Sequence, residues 1–206
     1  MKKFVSVFSL ILLLCIVFAC TQSKVGAGAS KGPDQEIGTV TTSSQEAFEL
    51  YQQGREIFAK NQMKESIPLF EQAISLDPEF AMAYRSLGAV HRNIYNNSGG
   101  RENLVKADDY LKKALGASEK ASPKERMIIQ GDIYANIDND FKKAIEIFEE
   151  LNKKYPENLV FWSTWLGYLY AQFSDWDEVI KYSEIVRKNK GRSASDYERL
   201  GNAYAA

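Results

Sequence analysis

The feature that most constrains this chain is a local sequence context, built around a glycine, that returns five times. The five copies are centred on Gly54, Gly88, Gly131, Gly167 and Gly201. The intervals between these glycines are 34, 43, 36 and 34 residues. Periods of this length are typical of helical solenoids, in which each repeat is a helical hairpin that buries its apolar face against its neighbours.

The stretch from Ala47 to Phe80 shows what one copy contains. Its apolar residues recur every three or four positions, which predicts two short amphipathic helices. The first helix has one face formed by Leu50, Gly54, Ile57 and Phe58, and the second has one formed by Ile67, Phe70, Ala73 and Ile74. Asn61 and Gln62 indicate the turn between them, and Pro78 ends the second helix because proline has no backbone N–H to donate.

The second helices of successive copies carry a matching alternation of small and large residues. The triplets are Ser66, Phe70 and Ala73; Ala107, Leu111 and Ala114; and Ala144, Phe148 and Leu151, with Val179, Ser183 and Val186 as a weaker fourth instance. Small residues let two helix backbones approach each other, and large ones fill the grooves on either side. Through these glycine, alanine, aromatic and Asp-Pro positions, the chain resembles the tetratricopeptide repeat (TPR) family over roughly three quarters of its length.

This resemblance implies an all-α fold, a right-handed α-solenoid of about 4.5 TPR hairpins over residues 46–206. The expected repeats cover about 47–80, 81–123, 124–159 and 160–193, with a partial repeat at 194–206. The partial repeat is a first helix with no second helix after it. It indicates either a sequence that stops short of the natural terminus or a patch for self-association at the C-terminal end.

The N-terminus is predicted to be a lipoprotein signal peptide, residues 1–19. Lys2 and Lys3 precede an apolar run that ends at Ala19, and this run is about 24 Å long as a helix, against a hydrocarbon core of roughly 30 Å. Residues 17–20 resemble a bacterial lipobox, which implies that Cys20 becomes the lipid-bearing first residue of the mature chain. The alternatives are a membrane-spanning helix and an ordinary free cysteine.

A flexible linker is expected after Cys20, up to residue 45, because the stretch is rich in Gly, Ser and Thr and has no apolar periodicity. Two capping boxes, Ser43 with Glu46 and Ser122 with Glu125, predict helix starts near residues 44 and 123. The second repeat contains about seven additional residues, 97–103, which are expected to form either a tolerated loop or a binding finger beside the groove.

Little reactive chemistry is available in the repeats. The only histidine, His91, falls on the core-facing stripe and is expected to pack there. The spacing of the acidic residues Asp138, Asp140 and Glu149 is similar to that of a calcium-binding loop. However, Lys142 occupies a ligand position and the glycine of the sharp turn is missing. No metal site, cofactor or catalytic residue is therefore predicted. The net charge is −1, or −3 without the two lysines of the signal, and no basic stripe suggests nucleic acid.

The resemblance implies that the first helices line a concave groove that holds a peptide or a partner helix. The predicted groove residues are Phe48, Tyr51, Arg55, Phe58, Arg85, Arg92, Asn93, Asp132, Asn136, Phe161, Tyr168 and Gln172. Aromatic residues and arginine concentrate binding energy at interfaces, although Phe48 and Phe58 are equally consistent with packing at the end of the array. Family members that bind chaperone tails have lysine and asparagine at positions taken here by Tyr51 and Ile128, so that partner is not expected.

These features lead to one function hypothesis and one alternative. The hypothesis is a non-enzymatic scaffold, tethered by lipid to the periplasmic face of a bacterial envelope membrane, with the outer membrane preferred, and holding a protein or peptide partner. The alternative is a sensory or regulatory TPR module whose effector lies on another chain or beyond residue 206.

Overall fold

The computed structural model of the protein describes residues 40–190, and within that range every regular element is helical. The eight α-helices are α1 (Gln45–Ala59), α2 (Met63–Leu76), α3 (Ala81–Ser98), α4 (Arg101–Ala117), α5 (Pro123–Ile133), α6 (Phe141–Lys154), α7 (Leu159–Ala171) and α8 (Trp176–Lys190). Consecutive helices pack as the hairpins α1–α2, α3–α4, α5–α6 and α7–α8, and each hairpin stacks on the next. The predicted all-α hairpin array is confirmed. The signal peptide, Cys20 and the partial repeat at 194–206 lie outside the described residues.

The predicted alternation of small and large residues forms the contacts inside the hairpins. A Cβ atom built on Gly54 would lie 2.8 Å from Phe70 Cε1, and one built on Gly131 would lie 2.8 Å from Phe148 Cε2. A Cβ atom built on Gly88 would lie 3.0 Å from Leu111 Cγ. These distances are shorter than a normal van der Waals contact, so a side chain at any of these three positions would force its neighbour on the second helix to shift.

Only one of the two predicted capping boxes is present. Ser122 accepts from the backbone N–H of Glu125, and the Glu125 side chain accepts from the N–H of Ser122. At the start of α1 the N-cap is Ser44, not Ser43, because Ser44 Oγ accepts from the N–H of Ala47 at 3.1 Å. The backbone N–H of Ser43 instead donates to Asp77 Oδ2 at 2.8 Å.

The additional residues of the second repeat do not form a loop or a finger. They extend α3 to Ser98 and are followed by α4 from Arg101, so these two helices, with 18 and 17 residues, are the longest of the described chain. Gly99 and Gly100 make the connection with φ values of 73° and 91°, a region that favours glycine. Helix extension satisfies the backbone hydrogen bonds of the added residues, which a loop would have left to solvent.

Residues 40–44, expected to be part of the linker, are packed against the helical body. Thr41 donates its backbone N–H and its hydroxyl to the two carboxylate oxygens of Glu125, at 2.8 and 2.6 Å. Thr42 Oγ1 donates to Asp77 Oδ2 at 2.6 Å. Burial disfavours the charged form of Asp77, but hydrogen bonds from Thr42, Ser43 and Glu79 outweigh burial and lower its pKa below the usual 3.8. The packed body therefore includes residues 40–44.

Candidate functional site

A pocket of about 240 Å³ lies where the first helices α3, α5 and α7 meet on one face of the array. Its lining residues are Gly88, Ala89, Arg92, Asn93, Asn96, Leu111, Asp132, Asn136, Thr164, Trp165 and Tyr168. The residue directly after the repeat glycine lines the pocket in three successive repeats, as Ala89, Asp132 and Tyr168. The pocket is thus a product of the repeat register, and we call the face that carries it the concave face.

Amide side chains occupy one equivalent position on this face in three repeats. Asn93 donates to the carbonyl of Ala89 at 2.9 Å, and Asn136 donates to the carbonyl of Asp132 at 2.9 Å. Gln172, five residues after its repeat glycine like the two asparagines, donates to the carbonyl four residues before it at 3.3 Å. Each of these bonds fixes the amide to its own helix and uses one donor, so a second N–H and the amide oxygen can still bind another group.

The opposite wall of the pocket is aromatic. Trp165 stacks on the buried Phe148 at 5.3 Å between ring centroids, with an interplanar angle of 2°. Tyr168 meets Trp165 edge to face at 6.1 Å and is 41% exposed. The wall is therefore anchored in the hydrophobic core on one side and open on the other. The absence of a side chain at Gly88 and the small one at Ala89 leave space in front of it.

The charges that border the pocket are paired within the chain. Arg92 Nη2 lies 2.6 Å from Asp108 Oδ1 and also donates to the backbone carbonyl of Asn136 at 3.2 Å. Asn136 belongs to a π-helical segment, Tyr134–Asp138, that follows α5. Arg85 Nε lies 2.7 Å from Asp132 Oδ2, and both side chains are almost fully buried. Since these charges neutralise each other, the pocket presents a nearly neutral surface.

Arg55, on α1, differs from the other arginines of the first helices. It is 3% exposed, and its guanidinium carbon lies 5.5 Å from the centroid of the Tyr51 ring. Its Nε and Nη2 atoms are buried and make no hydrogen bond. In the part of the chain that the structure describes, Arg55 has no carboxylate within ion-pair distance.

The structure distributes the twelve predicted groove residues over three environments. The residues that line the pocket are Arg92, Asn93, Asp132, Asn136 and Tyr168. Those buried in the body are Tyr51, Arg55, Arg85 and Phe161, and those outside the pocket that are half-buried or exposed are Phe48, Phe58 and Gln172.

The sequence predicts Tyr51 and Phe161 to line the groove, but both lie in the core. Tyr51 is 1% exposed and packs against Phe70 and Phe80, with centroids at 5.8 and 4.9 Å. Phe161 is 3% exposed and meets Trp162 edge to face at 4.8 Å. Both lie on the expected helices, but other aromatic rings pack against them and bury them.

The sequence analysis does not identify six of the pocket residues, which are Gly88, Ala89, Asn96, Leu111, Thr164 and Trp165. Ala89 could have been found, because it follows a repeat glycine in the same way as Asp132 and Tyr168. Leu111 is predicted to lie in the hairpin core, and it contributes to both the core and the pocket wall.

His91 packs as predicted. It is 6% exposed, its ring stacks on Tyr110 at 5.5 Å, and its Nδ1 lies 3.1 Å from Asn103 Oδ1. Asp140, which imitated a calcium ligand, caps α6 by accepting from the N–H of Lys143. Residues 40–190 contain no group of three or more His, Cys, Asp or Glu side chains arranged to hold a metal ion. The helices in this range are also too short or too polar for a membrane span.

Comparison with known proteins identifies the fold. No protein-family model and no curated protein matches the chain, whereas 35 chains of solved structures do. One is TTC0263, described as a thermophilic TPR protein in Thermus thermophilus, with 17% identity, a TM-score of 0.52, and coverage of 79% of this chain and 83% of that one. Another is YrrB, described as a TPR protein with an unusual peptide-binding site, with 20% identity, a TM-score of 0.38, and coverage of 86% and 84%. The similarity to TTC0263 assigns the TPR fold to the helical array.

Proposed function

We propose that this chain is a non-enzymatic, membrane-tethered TPR scaffold that holds a protein or peptide partner on its concave face. The main support for the proposal is the pocket, which is lined by residues from equivalent positions of successive repeats. It combines fixed amides, an anchored aromatic wall and internally paired charges.

An extended peptide has the chemistry that this surface can bind. Its backbone offers an N–H and a carbonyl at each residue, and the amides of Asn93 and Asn136 can both donate and accept. One of its apolar side chains can fill the space between Ala89 and the aromatic wall formed by Trp165 and Tyr168. Rigid aromatic side chains in a partly enclosed pocket are the usual anchors of protein interfaces.

A binding role also fits the placement of the polar groups. His91 is stacked and hydrogen-bonded in the body, and the buried Arg85 and Asp132 neutralise each other. A catalytic site would instead need a nucleophile, a base and an orienting group within hydrogen-bond reach of a pocket.

The membrane tether is proposed from the sequence alone. Cys20 follows an apolar segment of signal-peptide length and would carry the lipid after processing. Two or more acyl chains suffice for stable anchoring. The repeats would then lie at the periplasmic face of a bacterial envelope membrane, with the outer membrane preferred. Self-association at the C-terminal end is a further proposed contact.

Site-specific photo-crosslinking tests the partner-binding face. A photoreactive phenylalanine analogue at position 168 reports on the pocket. The same residue at position 105, where Val105 is 52% exposed on α4, serves as the control. We expect an adduct in cells from position 168 only, and its loss when Ala89→Arg fills the pocket in a variant that melts like the parent. The same adducts from both positions, or adducts that survive Ala89→Arg, would contradict the proposal.

A further inference from the structure

Besides the exposed Arg126 on α5, the first helices carry three arginines, Arg55, Arg85 and Arg92, which differ in whether their charge is paired. Arg85 is paired with Asp132 at 2.7 Å, and Arg92 is paired with Asp108 at 2.6 Å. Arg55 is as deeply buried as Arg85, at 3% exposed, yet its Nε and Nη2 atoms have no hydrogen-bond partner. Among the residues that the structure describes, it is therefore the buried cation of these helices that lacks a counter-charge.

The repeat register places Arg55 on the concave face. Arg55 directly follows Gly54, and the residues at the same position in the next three repeats are Ala89, Asp132 and Tyr168, which all line the pocket. Ala89 belongs to the repeat adjacent to that of Arg55. Arg55 thus occupies, in the first repeat, the position that lines the pocket in the other three.

A buried guanidinium needs an anion. Arginine stays protonated in proteins, and burial of an unpaired charge is unfavourable because the lost hydration is not replaced. The Tyr51 ring, 5.5 Å from the guanidinium carbon, offers only a partial substitute. The planar fork of the guanidinium matches a carboxylate, which can accept two parallel N–H bonds.

We propose that Arg55 binds the carboxylate of an acidic side chain in the partner segment that occupies the concave face. This inference rests on the proposed function and specifies the chemistry of the partner. Because the charges at the pocket are already paired, the residue that enters the pocket is uncharged and apolar. Neighbouring helices lie about 10 Å apart, and an extended chain advances about 3.3 Å per residue. An apolar residue of the partner that contacts Ala89, on the pocket wall nearest to α1, is therefore about three positions from the acidic residue.

Peptide binding tests this chemistry directly. The full-length chain in detergent micelles is titrated with acetyl-Glu-Gly-Gly-Leu-amide and with its glutamine counterpart, and the arginine Nε–H resonances are followed by NMR. We expect the glutamate peptide to bind at least tenfold more tightly and to shift the Arg55 signal. Arg55→Met should remove this preference, whereas Arg126→Met, at an exposed arginine on α5, should keep it.

The same titration distinguishes the possible sources of the carboxylate. A third peptide has glutamine in place of glutamate and a free C-terminal carboxylate. Equal binding of the two amidated peptides, or preference for the free C-terminus, would overturn the proposal of an acidic side chain. If crosslinking at position 168 still depends on the pocket in that case, the proposed scaffold function stands and only the role of Arg55 fails. If no pocket-dependent adduct forms, the proposed function itself fails.

Thermal stability gives an independent test that needs no ligand. Arg55→Met removes a buried charge without a partner, so we expect its Tm to rise by about 2–4 °C. The matched change Arg85→Met leaves the carboxylate of Asp132 buried without its cation, and we expect its Tm to fall. A Tm of Arg55→Met equal to or below that of the wild type would show that Arg55 is already satisfied in the free protein and would overturn the inference.

Discussion

Alanine substitution at two repeat glycines should change stability in opposite directions, although the sequence treats the two positions as equivalent. At Gly131 a new Cβ would lie 2.8 Å from Phe148 Cε2 and 3.0 Å from Phe148 Cζ. At Gly167 the nearest atoms to a new Cβ are Ser183 Oγ and Tyr182 Cβ, both at 3.8 Å, an ordinary contact. Comparing alanine substitutions at the two glycines therefore measures the free energy that close helix packing adds to a Gly→Ala change.

The expected change in the free energy of unfolding is the sum of a gain in helix propensity and a loss from overpacking. Replacing a helical glycine by alanine gains about 1 kcal/mol of helix propensity at either position. At Gly131 this gain is opposed by overpacking, which costs about 1–3 kcal/mol. The Phe148 ring cannot move away cheaply, since it is fully buried and stacked on Trp165. We expect Gly167→Ala to stabilise the protein by about 1 kcal/mol and Gly131→Ala to destabilise it by up to about 2 kcal/mol.

Urea unfolding, followed by far-UV circular dichroism and by tryptophan fluorescence, measures both effects. A change of about 1 kcal/mol corresponds to roughly 2–4 °C in Tm for a chain of this size. The double variant Gly131→Ala with Phe148→Leu removes the overlap, so its loss of stability should be smaller than the sum of the two single changes. If both alanine variants shift stability in the same direction by the same amount, the close contact at Gly131 does not control the packing and this reasoning is refuted.

Three further changes test other parts of the structure. Phe148→Ala should destabilise the protein by about 3–5 kcal/mol in the same urea assay, because it leaves a cavity in a fully buried site, and a wild-type melt would contradict the repeat register. The lowered pKa of Asp77 means that its charge stabilises the fold above pH of about 4 and that this contribution is lost as the pH falls through the folded-state pKa. The wild type should therefore lose stability more steeply than Asp77→Asn in urea unfolding below pH of about 4, and parallel curves would show that residues 40–44 do not stabilise this carboxylate. Cys20→Ser should abolish incorporation of labelled palmitate and release the chain from the membrane fraction, whereas Cys15→Ser should do neither; a Cys20→Ser chain that remains lipid-labelled would refute the anchor.

The helical hairpins and their core could be predicted from the sequence because the signals are local. The spacing of apolar residues determines which face of a helix is buried, and a glycine in the first helix with a large residue in the second recurs in the first three repeats. Phe70, Leu111 and Phe148 could therefore be assigned to the core before their neighbours were known. The position of His91 in the body followed from the same periodicity.

The candidate site could be predicted only in part, because periodicity gives the direction of a side chain but not what covers it. Tyr51 and Tyr168 both lie on groove-facing positions, yet the former is buried by Phe70 and Phe80 and the latter is 41% exposed. The hydrogen bond of Thr41 with Glu125 joins residues that are 84 positions apart, and no local sequence pattern predicts it.

The sequence by itself determined an all-α array of hairpins and the register of its small and large residues. Only the tertiary structure decided which charges are neutralised, since Arg85 meets Asp132 across 47 residues while Arg55 meets no carboxylate among the described residues. The physical reason is that helix formation and amphipathicity depend on neighbours within one or two turns, whereas ion pairs, pockets and burial depend on how separate repeats are stacked.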